Sequence, residues 1–373
     1  MGTTSNLQYI KIYDDIRKRI KDGELTAGMQ LDTEQDLAKQ YGVSRPTVRQ
    51  AFLELEREHL IERFRGKGTF VSEPKKTNDN IQNLKTIGII VPRLADVFIG
   101  KIITGAQAVL SKHGYNLSVH ITNDNIEEER EIIETLIKSD ICGLIIHPTN
   151  APHYNLAIYT LITKKIPFVF TGRHYRYIES NYVEMDNFKG TYDVVLRLFE
   201  MGHRNIGLVT KEPFIKTSVE DRISGFFQAA KDLHLPVQLE NIFLNLEDSR
   251  SLYWTEQTDE QKVFVHDQLR DYIRNTSGLT AVIALNDLIA ADLILVYEEL
   301  GKRVGKDISI VGFDNVSFAE RLTPPLASVD SPTLEIGRTA AEVIINQITH
   351  QNHPQQQIVI PSRLVIRESL CQC

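Results

Sequence analysis

The sequence predicts an α+β head carrying a winged helix-turn-helix, followed by an α/β body of two lobes with parallel sheets. Three observations carry this prediction. Residues 32–50 hold a short helical pattern, a glycine turn and a second helical pattern opening on arginine. A basic strand–turn–strand pattern follows at 60–71. From Thr86 onward, short apolar runs alternate with helical stretches, as in parallel strands covered by helices.

The 373 residues are too many for one ordinary domain, and 42% hydrophobic with 24% charged residues fits a globular protein. No run of about 18 apolar residues exists, so no membrane span is expected. The N-terminus lacks the basic-then-apolar pattern of a signal peptide, which points to the cytoplasm. Of three cysteines, Cys142 lies in an apolar run and reads as a small core residue. Cys371 and Cys373 lack CxxC spacing and a nearby histidine, so neither a metal nor a cofactor is expected. The net charge of −7 divides unevenly: 14 Lys+Arg stand against 12 Asp+Glu in residues 1–76, and 28 against 37 in the remainder. A slightly basic head on an acidic body fits a head that faces DNA.

In the head (1–73), Ile10, Tyr13, Ile16, Arg17 and Ile20 recur at helical spacing over Tyr9 to Lys21, and Gly23 ends the helix. Asp32 or Thr33 caps the second helix, whose first turn holds Glu34 and Asp36. Leu37, Ala38 and Tyr41 face inward, and Gly42 makes the turn. Ser44 caps the third helix and Pro46 lies in its first turn. Val48, Phe52 and Leu55 form its core face. Arg45 and Arg49, four apart, project together from another face, flanked by Thr47 and Gln50. Arginine forks match guanine O6 and N7 in the major groove. The alternative is a solvated charged face. The 60–71 hairpin carries Arg63, Arg65 and Lys67 around a Gly66-Lys67-Gly68 turn, suited to a phosphate or minor-groove contact. The phosphate-cradling spacing GxxxxGK[ST] is absent.

This segment resembles the winged-helix head of the GntR family of bacterial regulators, through Thr33-Glu34, the run from Leu37 to Arg49, and Gly66 to Val71. The resemblance implies that Glu34, Arg45, Thr47, Arg49 and the Gly66-Lys67-Gly68 wing tip touch DNA. Asp32 departs from the family, which usually has proline there.

Ser72 to Lys85 is polar with one proline and reads as a linker, bounded at 74–85. In the body (86–373), strands are expected at 87–92, 117–121, 141–146, 168–170, 206–209, 281–285 and 308–313, with helices at 99–113 and 127–138. Ligands of such sheets bind outside the carboxyl ends of the strands, so a cleft between two lobes is the expected site. Phe98, His147, Arg173, His174, Asp186, Asn187, Asn286, Asp287 and Asp314 follow strand ends, and Arg222 opens a helix. Asp, Asn and Arg together satisfy sugar hydroxyls, which both donate and accept, and Phe98 suits a sugar's apolar face. Alternative roles stand beside these: Asp186 and Asp287 as helix caps, Asp314 as a turn residue, Arg222 as half of a structural ion pair. Tyr253-Trp254 reads as core rather than as a stacking platform.

The body resembles the effector domain of the lactose/galactose-repressor (LacI/GalR) family, itself similar to periplasmic sugar-binding proteins. The residues carrying this are Asp221 to Phe226, Ala284 to Asp287, Ile310 to Asn315, Leu322 to Val329 and Gly202 to Gly207. The resemblance implies that Arg222, Asn286 and Asp314 face the effector, and that the chain crosses between lobes near 185, 329 and 353. A GntR head on this body resembles the arabinose repressors of Gram-positive bacteria, which implies L-arabinose or a related pentose as effector. The reading is a repressor that binds double-stranded operator DNA as a homodimer and is released by sugar. The alternatives are a regulator answering another sugar or a sugar phosphate, and a sugar-acting α/β enzyme. Against an enzyme, GxGxxG, the nucleophile elbow and HExxH are absent.

Overall fold

A computed structural model describes residues 3–58, 60–64, 67–72, 85–94, 97–149, 153–210, 217–246, 259–350 and 354–373. Arg65, Gly66, residues 73–84 and the Tyr253-Trp254 pair lie outside the described residues. The chain divides into two compact units, Met1–Leu84 and Lys85–Cys373.

The first unit holds α1 (Thr3–Lys21), α2 (Glu34–Gln40), α3 (Arg45–Arg57) and the antiparallel pair β1 (Ile61–Phe64) and β2 (Gly68–Val71). Of the two candidate caps for α2, Thr33 takes the role: its Oγ1 accepts the Asp36 N–H at 3.2 Å. Gly42 turns the chain at φ +65°, a conformation that side chains resist. Ser44 occupies the cap position of α3, but its hydroxyl pairs with the Thr47 hydroxyl at 2.8 Å instead of an amide. Val48, Ala51, Phe52 and Leu55 are fully buried against Ile12, Ile16, Leu37, Ile61 and Val71. Burying one such large side chain contributes roughly 1.5–3 kcal/mol. The stripe on α1 differs from the one expected. Ile10 is 42% exposed and Ile12 is 1% exposed, so the buried face runs Tyr9, Ile12, Tyr13, Ile16, Ile20. Arg17, expected on the stripe, pairs outward with Glu58.

The second unit contains two six-stranded sheets. The first lobe orders its strands β13 (Gln357–Ile360), β7 (Asn181–Met185), β6 (Phe168–Thr171), β5 (Ile141–Ile146), β3 (Lys85–Val91), β4 (Tyr115–Ile121), all parallel. Its helices are α4 (Val97–Leu110), α5 (Ile126–Ile137) and α6 (Ala157–Thr163). The second lobe orders β14 (Arg363–Val365), β12 (Ala327–Asp330), β11 (Ser309–Asp314), β10 (Ala281–Ala284), β8 (Ile206–Val209), β9 (Ile242–Phe243). These are parallel except β14, an antiparallel edge. Its helices are α7 (Asn187–Glu200), α8 (Thr217–Asp232), α9 (Asp259–Asn275) and α10 (Asp287–Glu299). The last helix, α11 (Thr333–Thr349), returns to the first lobe and packs on α4. There Gly105 and Gly337 let the backbones meet: a Cβ on either would sit 2.1 Å from a carbonyl oxygen of the facing helix.

The chain therefore crosses between lobes after β7, after β12 and after β13. The first two crossings fall where expected. The third lies at 361–362 rather than near 353, because β13 first pairs with β7 in the opening lobe. No helix among the described residues is long and apolar enough to cross a membrane.

Candidate DNA interface and effector cleft

In the head, the ion pairs separate the arginines into two kinds. Arg17, Arg19, Arg57 and Arg63 each lie within 4 Å of a carboxylate: Glu58, Glu24, Glu54, and Glu34 with Glu56. Among the described residues, Arg45 and Arg49 have no such partner, and both are exposed on α3 beside exposed Gln50. The second helix of the motif thus presents two unneutralised guanidinium groups one turn apart. Lys67 is also exposed at the wing turn. Gly68 adopts φ +119°, and a Cβ there would meet the Gln30 side chain, which donates to the Lys67 carbonyl at 3.0 Å. Gln30 therefore braces the backbone at Lys67 and Gly68, while the Lys67 side chain is exposed.

Three expected contributors are engaged inside the head. Arg63 bridges Glu34 at 3.1 Å and Glu56 at 3.6 Å, with its guanidinium 5.3 Å from the Phe52 ring centre. It ties the wing to α2 and α3, so the basic character of the wing is smaller than the sequence implies. Glu34 is the other end of that strut. Thr47 is buried, and its hydroxyl is bound to Ser44. Thr47 shares the buried side of α3 with Val48 and Ala51, not the exposed side that carries Arg45 and Arg49.

In the body, a buried cluster forms around Arg222. This residue lies in the second turn of α8, not at its opening as expected, because the helix begins at Thr217. Its Nε donates to Asn187 Oδ1 at 2.9 Å, and its Nη1 to the Leu285 carbonyl. Its Nη2 lies 3.4 Å from Asp314 Oδ1, and the guanidinium stacks 4.1 Å from the Phe313 ring centre. One side chain therefore gathers the start of α7 and the carboxyl ends of β10 and β11. Burial lowers the Arg222 pKa, and the Asp314 and Asp287 charges oppose that. Burial raises the Asp314 pKa, with Arg222 pulling it back. Asp314 itself adopts φ +94°. A non-glycine residue there costs on the order of 1–3 kcal/mol, and such strain clusters at functional sites.

Asn286 and Asp287 exchange the roles that the sequence suggested. Asn286 caps α10, its Oδ1 accepting the Ile289 N–H at 2.9 Å. Asp287 is buried and accepts from the Val316 N–H at 2.8 Å and the Ser328 hydroxyl at 2.5 Å. It locks the loop after β11 in place. Burial, then the Asp314 charge, push the Asp287 pKa up to about 8. With its unfolded pKa near 4, this carboxyl holds its proton in the folded state between pH 4 and 8 while the unfolded chain has lost it. Its contribution is complete below about pH 4 and lost as pH rises through 8. Urea unfolding of the protein is expected to show a midpoint that falls from pH 5 to pH 8, by up to about 1.4 kcal/mol per pH unit in stability. Asp287→Asn should flatten that slope, and an unchanged slope would remove Asp287 as its source.

The first lobe supplies a second group. Phe98 lies edge-on to His147, with centres 5.8 Å apart. Arg173 donates from Nε to the Pro148 carbonyl at 2.7 Å. His147 is buried, and burial followed by the Arg173 charge holds its pKa well below the usual histidine range, so it is neutral at pH 7. Its Nδ1 has no hydrogen-bond partner among the described residues. His174 stacks on Tyr182 at 3.9 Å and pairs with Glu184 at 3.2 Å, so it serves the lobe's own packing. Asp186 caps α7 by accepting the Lys189 N–H at 2.8 Å; its neighbour Asn187 is the residue that reaches Arg222. Sequence reasoning placed Asp186 in the site, and the signal for Asn187 was its adjacency alone.

A winged helix-turn-helix joined to a two-lobed, periplasmic-binding-protein-like body defines a class of regulators that carry a DNA-binding head and a small-molecule receiver in one chain. The gntR family of bacterial regulatory proteins matches residues 8–71, and the periplasmic binding protein-like domain matches residues 195–370. The arabinose metabolism transcriptional repressor of Geobacillus stearothermophilus is 31% identical over 97% of this chain and 97% of its own. That of Halalkalibacterium halodurans is 28% identical over 98% and 97%. A LacI family transcriptional regulator from Enterococcus faecium, solved with bound ribose, superposes with a TM-score of 0.63. It is 27% identical and covers 78% of this chain and 100% of its own. The chain belongs to the family of transcriptional repressors that join a gntR-type head to this body and that includes those arabinose metabolism repressors.

Proposed function

We propose that the protein is a sugar-responsive transcriptional repressor of the cytoplasm. Its head binds operator DNA through Arg45, Arg49 and the wing, with Ser44, Glu34, Thr47 and Gly68 placing them. Its body binds L-arabinose or a related pentose in a cleft formed by Arg222, Asn187, Asn286 and Asp314 from one lobe and Phe98, His147 and Arg173 from the other. The observation that carries the DNA reading is that Arg45 and Arg49 are exposed and, among the described residues, have no carboxylate partner, while the head's other described arginines are all paired. The Arg222 cluster supports the sugar reading: it combines donors and acceptors at the strand ends where α/β ligands bind. A homodimer presents two heads to a two-fold operator. Sugar binding closes the cleft, alters head spacing and lowers operator affinity.

Fluorescence anisotropy with DNA from upstream of the protein's own gene, at fixed salt, tests this reading. Nanomolar binding that weakens tenfold or more on adding L-arabinose is expected. Binding that ignores arabinose but yields to another pentose, a hexose or a sugar phosphate redirects the effector assignment. Absence of sequence-specific binding overturns the regulator reading.

A further inference from the structure

The loop between β6 and β7, residues 172–180, is fixed to the first lobe. Tyr175 is buried there, edge-on to Phe170 and Tyr154 at 5.4 and 5.0 Å. His174 is held by Tyr182 and Glu184 on β7. From this base the loop reaches across to α8 of the second lobe. Arg176 Nη2 donates to Asp221 Oδ1 at 2.7 Å, and its Nε to Glu220 Oε2 at 3.3 Å. The His174 N–H donates to Thr217 Oγ1 at 3.1 Å, and the fully buried Thr217 hydroxyl lies 3.3 Å from the His174 carbonyl.

Thr217, Glu220 and Asp221 stand three and four residues apart, so they share one face of the first two turns of α8. Arg222, the next residue, points to another face and into the cluster with Asn187 and Asp314. One short stretch of helix thus carries the interlobe contact and the ligand-facing guanidinium together.

We propose that Arg176 is a positioning residue of the effector cleft: it latches the first lobe onto α8 and holds Arg222 in its binding position when the lobes are closed. The inference rests on the sugar-cleft reading. Its strength suits a switch. Partly exposed ion pairs contribute little each, so they bias the balance between open and closed lobes without fixing it. The effector then has only a small gap to overcome.

The test uses the full chain with Arg176→Ala, Arg176→Lys, Asp221→Ala and the Arg176→Ala/Asp221→Ala double variant. Hydrogen exchange is followed without any sugar, in peptides covering 172–180 and 217–232. L-arabinose affinity is measured by calorimetry. Arg176→Ala is expected to speed exchange in both segments and to weaken arabinose binding about three- to tenfold. Operator affinity without sugar should stay within twofold. Arg176→Lys should recover part of the loss. The double variant should match Arg176→Ala alone, since coupled partners are not additive and Arg176→Ala already removes the Asp221 contact. Unchanged exchange in Arg176→Ala, or additive losses in the double variant, overturns the latch. If the unmodified protein does not bind arabinose, the sugar assignment fails separately, and exchange alone decides the latch.

Discussion

Arg49→Ala is expected to reduce specific operator binding to the level of random DNA. A bidentate arginine–guanine contact is worth about 1–3 kcal/mol of discrimination. In a two-headed dimer the substitution removes it twice, a loss on the order of 30-fold to 10^4-fold. Binding to unrelated DNA should fall far less, because that term comes from phosphate neutralisation. The substitution should also leave the head folded. Arg49 is exposed and unpaired among the described residues, and the core face of α3 runs through Val48, Phe52 and Leu55. Anisotropy titrations of operator and scrambled duplexes at the same salt separate the two terms. If Arg49→Ala keeps operator affinity within threefold, base reading belongs elsewhere. Arg63→Ala is a useful contrast. It would act by releasing Glu34 and Glu56 inside the head, weakening both duplexes alike through stability.

That contrast shows where the sequence is informative. The helix-turn-helix is legible because its determinants are local: Thr33 caps α2, Gly42 turns at positive φ, and Val48, Phe52 and Leu55 repeat at helical spacing. Exposure of Arg45 and Arg49 follows from that same spacing. The pairing of Arg63 does not, since Glu34 lies 29 residues away and only the folded wing brings them together. The body behaves alike. Alternating apolar runs give away the parallel sheets, while β12, with one large apolar residue, and β13, an edge strand whose side chains alternate between exposed and half-buried, are not among the strands expected. The third crossing, which the family resemblance implies near 353, falls after β13 instead. At the cleft, the ends of β10 and β11 are readable because polar residues break long apolar runs there. Which of two adjacent polar residues faces inward is a matter of cap geometry. Asn286 takes the cap and Asp287 the buried lock, while at the crossing after β7 Asp186 takes the cap and Asn187 the cluster. Arg176 belongs to the same class of hidden features, since its partners are 44 and 45 residues distant.

Asp314 carries the second large effect: removing its charge should uncouple operator release from sugar. Arg222 is buried, and Asp314 is the carboxylate that pairs with it; Asn187 and the Leu285 carbonyl are neutral acceptors. Asp314→Ala leaves that cation buried without its counter-charge, a change that costs about 3–5 kcal/mol when a buried pair is broken. Because this can also weaken the fold, Asp314→Asn is the sharper variant, retaining volume and one acceptor while deleting the charge. Both are expected to bind operator with unchanged affinity when sugar is absent. Both should resist release at arabinose concentrations about 100 times those that free the unmodified protein. A thermal melt of Asp314→Asn close to that of the parent protects the interpretation. An Asp314→Asn protein that melts normally and is released normally removes Asp314 from the site. Linkage supplies an independent reading of the same residue. If sugar lowers operator affinity by some factor, operator must lower sugar affinity by that factor. A calorimetric titration of the parent with sugar, with and without operator, should return the ratio found by anisotropy, and in Asp314→Asn both ratios should approach one. A variant that loses sugar affinity yet keeps the coupling ratio would mean that Asp314 binds the ligand without transmitting its arrival, and the burden of coupling would then fall on the contacts between the first lobe and α8.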